Sequence, residues 1–578
     1  MNARVADVRL VARLARHETI SFLRTPVATI FTIAMPLMMM VIVGAAVGND
    51  TVDPATGVRV MQFVIPVMTV FGVAQGCFGA LGMHLIDLRD RGWLRRLRGT
   101  PVPAWVVMTA LAVTSLVIAL MTTVTLLGAG VVFYDVQMVW RTFPALLLTL
   151  LVGVACFTAL GFAIVALVRS AGAVQLIGTG LLLVLAFISG ILLPGARMPV
   201  WLETIGWIFP LRHFGEAVRD DFNPFLSGPG FHGDHLAVLA VWAAGAAAVA
   251  VWRFRWERPQ SGVAAAGTAP EPVVSTAGTT GGAGPVPRTA VGAGAGPAAR
   301  TPPAVSGRSH GPESRPSPWR LLVGQTAHAA LRLRRDPSTA FFTVVLPVLL
   351  LVIISLVFGG TQVEGLPLPL FMLAAMTAYT VGVSAYVNFA EAVTVDRERG
   401  VLKRLSGTPL PRWAYYTGWI ACALWVTLAT AIVLTLVAVL GYDARIGLGA
   451  VPVMLVTVVL GVVCFAVLGA LVATLVPRSS TANAITLGTF LPMAFVSDVF
   501  VIGGPLPAVL ETAGDLFPLK HVSHALLAAL DPAGRPWPWT DLAVIAAWTL
   551  AGALAVAVAA APVRLGRRNR RPAEAAVR

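Results

Sequence analysis

Two short basic segments, similar in sequence and 308 residues apart, hold the residues best suited to contact a partner. The first runs from Asp90 to Pro101 as Asp-Arg-Gly-Trp-Leu-Arg-Arg-Leu-Arg-Gly-Thr-Pro, and the second from Glu398 to Pro409 as Glu-Arg-Gly-Val-Leu-Lys-Arg-Leu-Ser-Gly-Thr-Pro. The acid, Gly, Leu, Thr and Pro positions recur in register, whereas membrane topology requires only the positive charges. We therefore interpret the chain as two homologous halves, each with one structured basic element.

The second segment has the residue spacing of a short helix. Val401, Leu402 and Leu405 then form an apolar ridge with basic residues around it. Thr408 and Pro409 end the helix, because proline cannot continue its hydrogen-bond ladder. Such a ridge is suited to a groove on another protein. A plain basic loop is the alternative, and the repeated uncharged positions favour the helix.

The composition places the chain in a membrane. Of its 578 residues, 57% are hydrophobic and only 12% are charged, which is too apolar for a soluble protein. A span needs about 20 apolar residues. We predict an all-α polytopic membrane protein with twelve spans, six in each half, running roughly over 27–48, 60–85, 102–134, 143–168, 171–193, 236–252, 338–360, 366–390, 413–442, 446–476, 479–497 and 542–562.

The positive charges follow the predicted topology. Although the net charge is +15, the arginines cluster before the first span, between spans two and three, after span six and at the matching places of the second half. By the positive-inside rule, both termini, the basic segments and the linker are cytoplasmic. We expect no nucleic-acid partner. The four cysteines lie in or beside spans without metal-ligand spacing, so we expect packing roles and no metal site: Cys77, Cys156, Cys422 and Cys464.

A linker without aromatic, Leu, Ile or Met residues divides the halves. We predict a first six-span domain over 1–258, a flexible cytoplasmic linker over 259–318, a second six-span domain over 319–564 and a basic tail over 565–578. As a flexible coil, the linker has a root-mean-square reach of about 45 Å. Because each half begins and ends in the cytoplasm, the repeats are parallel and related by a pseudo-two-fold axis along the membrane normal.

Each half also begins with a segment that mixes basic and apolar residues. Arg9, Arg13 and Arg16 share one face of a predicted helix, and the segment from Trp319 to Arg335 is similar. The pattern is typical of a helix lying at the membrane surface. Ordinary basic flanks that orient the first span are the alternative, and recurrence favours the helix.

A second set of residues recurs before the last span of each half at the same offset of 308 residues. Ser189, Pro199, Leu202, Glu203, Thr204, Gly206, Phe209, Pro210, Leu211 and His213 match Ser497, Pro507, Leu510, Glu511, Thr512, Gly514, Phe517, Pro518, Leu519 and His521. About eleven apolar residues between the prolines are too few to span a bilayer, so we expect this piece to dip into the outer leaflet.

Three ionisable residues in this region have two interpretations each. His213 and His521 are candidates for a proton relay, but a histidine beside Arg212 or Lys520 is more often a polar anchor. Asp498, which replaces Gly190 of the first half, is a functional candidate by its membrane depth or marks where span five reaches water.

No catalytic motif is present. The chain lacks the G-x-x-x-x-G-K-[ST] phosphate loop and contains no Gly-Lys pair, and H-E-x-x-H and G-x-S-x-G are also missing. The chain is therefore not expected to be an enzyme or to bind a cofactor, and any ATP that drives it is hydrolysed elsewhere.

The second basic segment resembles the cytoplasmic coupling segment of type-2 ATP-binding cassette (ABC) exporter permeases, which commonly read E-R-E-x-G-T-L-E-x-L-x-x-T-P. The resemblance covers both halves but not the linker. It implies an elbow helix, six spans and an extracytoplasmic re-entrant segment in each half, and a coupling helix that docks on a separate ATPase carrying ATP and Mg²⁺. The coupling residues it implies are Asp90, Arg91, Gly92, Leu94, Leu97, Thr100, Pro101, Arg397, Glu398, Arg399, Gly400, Leu402, Leu405, Thr408 and Pro409.

The first copy departs from this pattern, with Asp90 for Glu398, Trp93 for Val401, and Arg95 and Arg98 added. Unequal docking of the halves follows, on two copies of the ATPase or on a heterodimer. The resemblance also implies an extracytoplasmic gate, for which the candidates are Glu203, Phe209, Pro210, His213, Asp498, Glu511, Phe517, Pro518 and His521.

We interpret the chain as the permease of an efflux system in the bacterial cytoplasmic membrane. Its substrate is a small molecule, with a hydrophobic drug or antibiotic as the default; lipid and polysaccharide export are alternatives within the family. Five phenylalanines offer aromatic surface to such a substrate unless they pack between helices: Phe157, Phe187, Phe465, Phe490 and Phe495. A proton-coupled transporter of the major facilitator type and a non-transporting scaffold are the alternatives in other classes.

Overall fold

The computed structural model describes residues 2–24, 30–34, 36–38, 40–41, 44, 48–90, 92–93, 96, 99–100, 102–168, 170–192, 198–253, 317–363, 365–500, 508–531 and 537–575. The predicted linker lies almost entirely outside these residues, and the first predicted span lies partly outside them. The same holds for Arg91, Leu94, Leu97 and Pro101 and for the side chain of Asp90.

Ten α-helices of the first half have described bounds. They are α1 (Asn2–Leu23), α2 (Met61–Ala74), α3 (Leu81–Asp90), α4 (Ala104–Tyr134), α5 (Phe143–Leu167), α6 (Ala171–Gln175), α7 (Leu182–Ile188), α8 (Val200–Ile208), α9 (Pro210–Asp221) and α10 (Gly233–Arg253).

The second half repeats this order. Its helices are α11 (Pro318–Arg335), α12 (Pro337–Ala340), α13 (Leu346–Phe358), α14 (Leu368–Gly382), α15 (Phe389–Glu398), α16 (Val401–Leu405), α17 (Arg412–Tyr442), α18 (Ala450–Leu475), α19 (Ser479–Val496), α20 (Ala508–Asp515), α21 (Pro518–Leu530) and α22 (Trp539–Ala575).

Short segments of π-helix join several of these helices without breaking them: Ile30–Ala34, Gln75–Ala80, Leu176–Leu181, Phe341–Val345 and Val383–Asn388. Four of the five recur at matching places in the two halves, so the bulges belong to the repeated unit. Two antiparallel strand pairs, β1 (Thr51–Asp53) with β2 (Val58–Arg59) and β3 (Gln362–Val363) with β4 (Leu366–Pro367), precede α2 and α14.

Ten helices in the described part of the chain are long and apolar enough to cross a membrane. They are Met61–Arg89, Trp105–Tyr134, Trp140–Leu167, Ala171–Ile188, Gly233–Arg253, Pro337–Phe358, Leu368–Glu398, Arg412–Tyr442, Ala450–Leu475 and Trp539–Ala560. Of the other two predicted spans, the first lies partly outside the description, and α19 is helical but begins with polar residues.

The second spans extend farther than predicted. They continue as helix to Asp90 and Glu398, beyond the expected ends near 85 and 390, because no glycine or proline follows those expected ends until Gly92 and Gly400.

Each half has its own apolar core. Phe157 and Phe214 lie in the first, and Phe465 and Phe490 in the second. Phe187 of the first half packs against the second core, and Gly180 approaches Phe341, so the halves contact each other through α7 and the π segments beside it. The phenylalanines proposed as a substrate surface are thus largely packing residues: Phe157, Phe465 and Phe490 are at most 2% exposed.

Candidate functional site

The described residues of the two basic segments share one backbone turn. Gly92 and Gly400 both have a φ of +69°, in the left-handed region that glycine reaches without strain. After this turn the Arg404 amide donates to the Gly400 carbonyl at 3.0 Å, and the Arg96 amide donates to that of Gly92 at 3.1 Å. Each glycine therefore ends the long second helix and starts a helical turn in a new direction.

In the second half, this turn is the five-residue helix α16, and its two faces differ. Leu402 and Leu405 pack against Phe389 and Val393 of α15, within the same chain. Lys403, with the adjacent Arg404, is exposed. Two residues of the apolar ridge are thus partly covered by their own bundle, and the exposed face of α16 is basic.

The end of α16 is earlier than predicted. The helix ends at Leu405, three residues before Thr408. The Ser406 hydroxyl donates to the Lys403 carbonyl at 2.7 Å, and the Thr408 hydroxyl donates to the Leu405 carbonyl at 2.7 Å. These hydroxyls satisfy carbonyls that lack a partner at a helix end, so Pro409 follows a helix that is already closed.

An arginine before each basic segment holds the end of the fourth span. In both halves its guanidinium donates to two carbonyls at that end. The bonds join Arg89 to Val165 (3.0 Å) and Val168 (3.4 Å), and Arg397 to Val476 (3.0 Å) and Ala473. A guanidinium suits this position because its rigid fork reaches two acceptors and its charge opposes the negative helix end.

The neighbouring acid acts on a different helix. The Glu398 carboxylate accepts from the Ser479 amide at 2.8 Å and from its hydroxyl at 2.7 Å, which caps the start of α19. In the first half, Ser170 caps α6 with its own hydroxyl, which accepts from the Ala173 amide at 3.2 Å. The second basic segment is therefore hydrogen-bonded to α19, the fifth predicted span of its half, through its own residue Glu398.

A buried acid connects α15 to two further helices. The Asp396 carboxylate, on a residue 3% exposed, accepts from Arg332 of α11 and from the Tyr415 hydroxyl of α17, the latter at 2.7 Å. The Arg332 guanidinium also lies 5.4 Å from the Trp419 ring centre. Comparison of the two halves does not indicate this link, because Leu88 and Val107 stand at the places of Asp396 and Tyr415 in the first half.

At the opposite end of the bundle, the second repeated set forms two short helices in each half, α8 with α9 and α20 with α21. A Cβ atom on Gly206 would lie 3.0 Å from the Ile188 carbonyl, and one on Gly514 would lie 2.5 Å from that of Val496. Only glycine allows this close approach, so each first short helix packs directly on the end of span five. Pro210 and Pro518 begin the second short helices, each after an extended phenylalanine, Phe209 or Phe517.

The two repeated histidines anchor these short helices. His213 Nε2 lies 2.8 Å from the Trp207 carbonyl oxygen, and His521 Nε2 lies 2.9 Å from that of Asp515. Both carbonyls lie at or near the end of the preceding short helix, so the bond closes the corner between the pair. This geometry matches the polar-anchor interpretation.

The charged residues of this region differ between the halves. Arg212 forms an ion pair with Glu203 at 2.6 Å, whereas its counterpart Lys520 pairs with Asp515 at 2.8 Å and only donates to the backbone of Glu511. The hydrogen bond from Lys520 holds the pKa of Asp515 below its ordinary value. The predicted equivalence of Glu203 and Glu511 therefore holds for the backbone but not for the carboxylates.

Asp498 occupies a turn position. It follows α19 with a φ of +59°, where Gly190 of the first half has +74°. Its carboxylate lies 3.6 Å from His524 Nε2. Asp498 thus lies just beyond a helix end, as expected for a C′ residue, and contacts a histidine of the next helix.

The fold and these repeated contacts define a class: a polytopic α-helical membrane protein built from a duplicated unit. A family model described as ABC-2 type transporter matches residues 9–222 and again 325–530. Because these matches cover most of the chain, the protein belongs to the ABC-2 type transporter family, whose members are membrane subunits of transporters that pair with ATP-binding subunits.

Individual relatives match over shorter stretches. The chain is 28% identical over 150 residues to the "Putative transport permease YvfS" of Bacillus subtilis (strain 168), which covers 26% of this chain and 61% of that protein. It is 25% identical over 161 residues to the "Probable multidrug ABC transporter permease YbhR" of Escherichia coli (strain K12), covering 27% of this chain and 42% of the relative. The chain thus spans less than two thirds of either relative.

Proposed function

We propose that the chain is the membrane subunit of an ABC efflux system in a bacterial cytoplasmic membrane and that its two halves together form one translocation unit. The proposal rests mainly on what we call the arginine clamp, which is the set of hydrogen bonds from Arg89 and Arg397 to the carbonyls at the end of the fourth span. These bonds fix the basic segment of each half to that span. A movement of the exposed segment is then transmitted to the spans of its own half. ATP and Mg²⁺ bind to a separate ATPase, either two copies or a heterodimer.

The topology belongs to the proposal. Residues 27–48 and α19 complete twelve spans, α1 and α11 are elbow helices at the cytoplasmic surface, and both termini are cytoplasmic. The short helices α8 with α9 and α20 with α21 are extracytoplasmic re-entrant segments that form the gate. The domains are 1–258 and 319–564, joined by the linker 259–318 and followed by the tail 565–578.

The exported substrate is a hydrophobic or amphipathic drug or antibiotic. Support comes from the permease relatives, one of which is described as a probable multidrug ABC transporter permease. In this proposal the substrate passes along the contact between the halves, where the apolar side chains of Phe187 and Phe341 lie.

The experiment is co-purification with a cassette ATPase expressed together with this chain. Charge reversal at Glu398 is unsuitable, because it also removes the cap of α19. Lys403→Glu with Arg404→Glu reverses the exposed face of α16 at the loss of one exposed hydrogen bond, from Arg404 to the Arg399 carbonyl, and we expect at least a tenfold loss of retained ATPase. Arg445→Glu, an exposed reversal beyond the far end of α17, is the matched control and should retain the ATPase. Full retention and full ATP-dependent export by the double variant would overturn the coupling proposal.

A further inference from the structure

The anchoring histidines of the two halves face different partners through their second ring nitrogen. His213 Nδ1 lies 3.0 Å from His235 Nδ1 of α10. His521 Nδ1 lies 2.7 Å from Asp541 Oδ1 of α22. His235 and Asp541 occupy matching places, since Trp242 and Trp548 follow each by seven residues and donate to the carbonyls of Ile208 and Leu516.

The hydrogen bonds assign the protons. A carbonyl oxygen only accepts, so the Nε2 atoms of His213 and His521 both carry hydrogen. In the first half, His213 Nδ1 is then an acceptor and His235 Nδ1 donates to it, which requires that His213 be neutral. In the second half the partner is a carboxylate, so the proton between His521 and Asp541 joins an imidazolium to an anion.

Acid therefore affects the two contacts differently. Protonation of both His213 and His235 places hydrogen on both Nδ1 atoms whichever tautomer the pair had, which removes their hydrogen bond and brings two cationic rings together at 3.0 Å. The His521–Asp541 contact already contains its proton and holds until the carboxylate is protonated. Among the described residues, no three His, Cys, Asp or Glu side chains are arranged to hold a metal ion.

The charged neighbours of the histidine pair are on three elements. From α9 come Arg212, Glu216, Asp220 and Asp221; from α8, Glu203; from the start of α10 and the residue before it, Asp234 and His232. Arg212 is already paired with Glu203, and the mostly exposed Asp234 carboxylate is 4.0 Å from His235 Nδ1. Two other helices, α2 and α5, pack on α9, and neither of them carries a charged residue.

The partners of the second contact are arranged differently. Around His521 and Asp541, the charged or titratable groups are Lys520 and His524 of α21, Glu511 and Asp515 of α20, and Asp498 after α19. Lys520 is paired with Asp515, and the neighbouring spans α14 and α18 contribute no charge.

We propose that His213 and His235 form an acid-labile joint between α9 and α10, present in the first half only, so that acidification releases the first re-entrant segment while the second stays held. The joint does not rest on the transport proposal, because it concerns only the contact of two helices. In the proposed topology it faces outward and makes the gate of one half responsive to external pH.

Hydrogen exchange of the purified chain in nanodiscs tests the joint. Exchange of α9, corrected for the intrinsic pH effect, should rise at least about tenfold from pH 7.5 to 5.5, while that of α21 changes less than about twofold. His235→Asp copies the second half and should abolish the rise in α9. Asp541→His copies the first half and should transfer it to α21.

Two variants make the test decisive. His232→Gln, the matched neighbour, should leave the acid response of α9 intact; if it removes the response, the sensor is His232 with Asp221 and the proposal is wrong. If His235→Asp does not fold, the Asp541→His variant alone decides. Hydrogen exchange of α21 in that variant that does not rise from pH 7.5 to 5.5 contradicts the proposal. Equal acid responses of α9 and α21 in the natural chain also overturn it.

Discussion

His84 Nε2 on α3 lies 2.8 Å from the Glu18 carboxylate on α1, and both side chains are less than a tenth exposed. By the offset of 311 residues that relates Pro26 to Pro337, Glu18 matches Ala329; by the offset of 308, His84 matches Ala392. The second half instead connects its first helix to α15 through Arg332 and Asp396. Each half thus has one buried polar link in this place, made by different residues.

Replacement of His84 should lower the stability of the fold, and a second substitution at Glu18 should restore it. His84→Ala leaves the buried Glu18 without its hydrogen-bonded partner, and we expect the free energy of unfolding to fall by about 3 kcal/mol. Glu18→Ala added to it copies the Ala329 and Ala392 pair and should restore most of the loss. Denaturant unfolding in micelles measures both.

The control is the exposed ion pair of Arg59 with Asp135, at 2.9 Å. Arg59→Ala should lower the free energy of unfolding by less than about 1 kcal/mol. A double variant at Glu18 and His84 that is no more stable than His84→Ala would contradict the interpretation.

The general architecture was accessible from the sequence, since charge-free runs and a repeat both mark spans. The span predictions agree with the ten apolar helices, because the insertion of a long apolar run depends on its overall hydrophobicity and little on which side chains it contacts. Gly92 with Gly400 and Gly206 with Gly514 also recur as expected, because each occupies a backbone position that excludes a side chain.

The polar links were not accessible. Asp396 of one half and Glu18 of the other do not align, so comparison of the halves finds nothing. His235 and Asp541 are also missed, because they differ in residue type and their separation is not the 308 residues of the repeat. Only the fold shows that unlike residues perform equivalent tasks, because it brings together helices that are distant in sequence.

The clamp of Arg397 should tolerate no other cation. In Arg397→Lys a single ammonium replaces the fork that reaches Ala473 and Val476, so one carbonyl loses its partner, at a cost of about 1–3 kcal/mol. We expect faster hydrogen exchange of Val401–Leu405. Arg399→Lys, at an exposed position two residues away, is the control and should leave this exchange unchanged.

Three glycine substitutions should rank by the room around each Cβ. Gly514→Ala places a methyl group 2.5 Å from the Val496 carbonyl and should lower the free energy of unfolding by about 1–3 kcal/mol. Gly206→Ala, at 3.0 Å from that of Ile188, should cost less. Gly245→Ala, with open space around it, should cost nothing. Thermal unfolding gives the ranking, and a reversed order would contradict the packing of α20 on span five.

Asp221 should make stability depend on pH. Its side chain is fully buried, and burial raises its pKa from 3.8 to about 7, while a hydrogen bond from Thr149 acts in the opposite direction. A raised pKa means that the folded chain binds the proton more tightly, so this stabilisation is complete below pH 4 and is lost as the pH rises through 7. Asp221→Asn should therefore exceed the natural chain in stability at pH 8, by about 1–4 kcal/mol, and match it near pH 4.

Asp515 provides the comparison of opposite sign. Its pKa is lowered by Lys520, so its contribution is present at neutral pH and is lost as the pH falls below the ordinary value of 3.8. Asp515→Asn should therefore lower stability at pH 8, by less than about 1 kcal/mol because the pair is largely exposed on the acid side. Unfolding curves of both variants at pH 4, 6 and 8 separate the effects, and an Asp221→Asn variant that is less stable at pH 8 would show that Asp221 is charged and compensated in the folded chain.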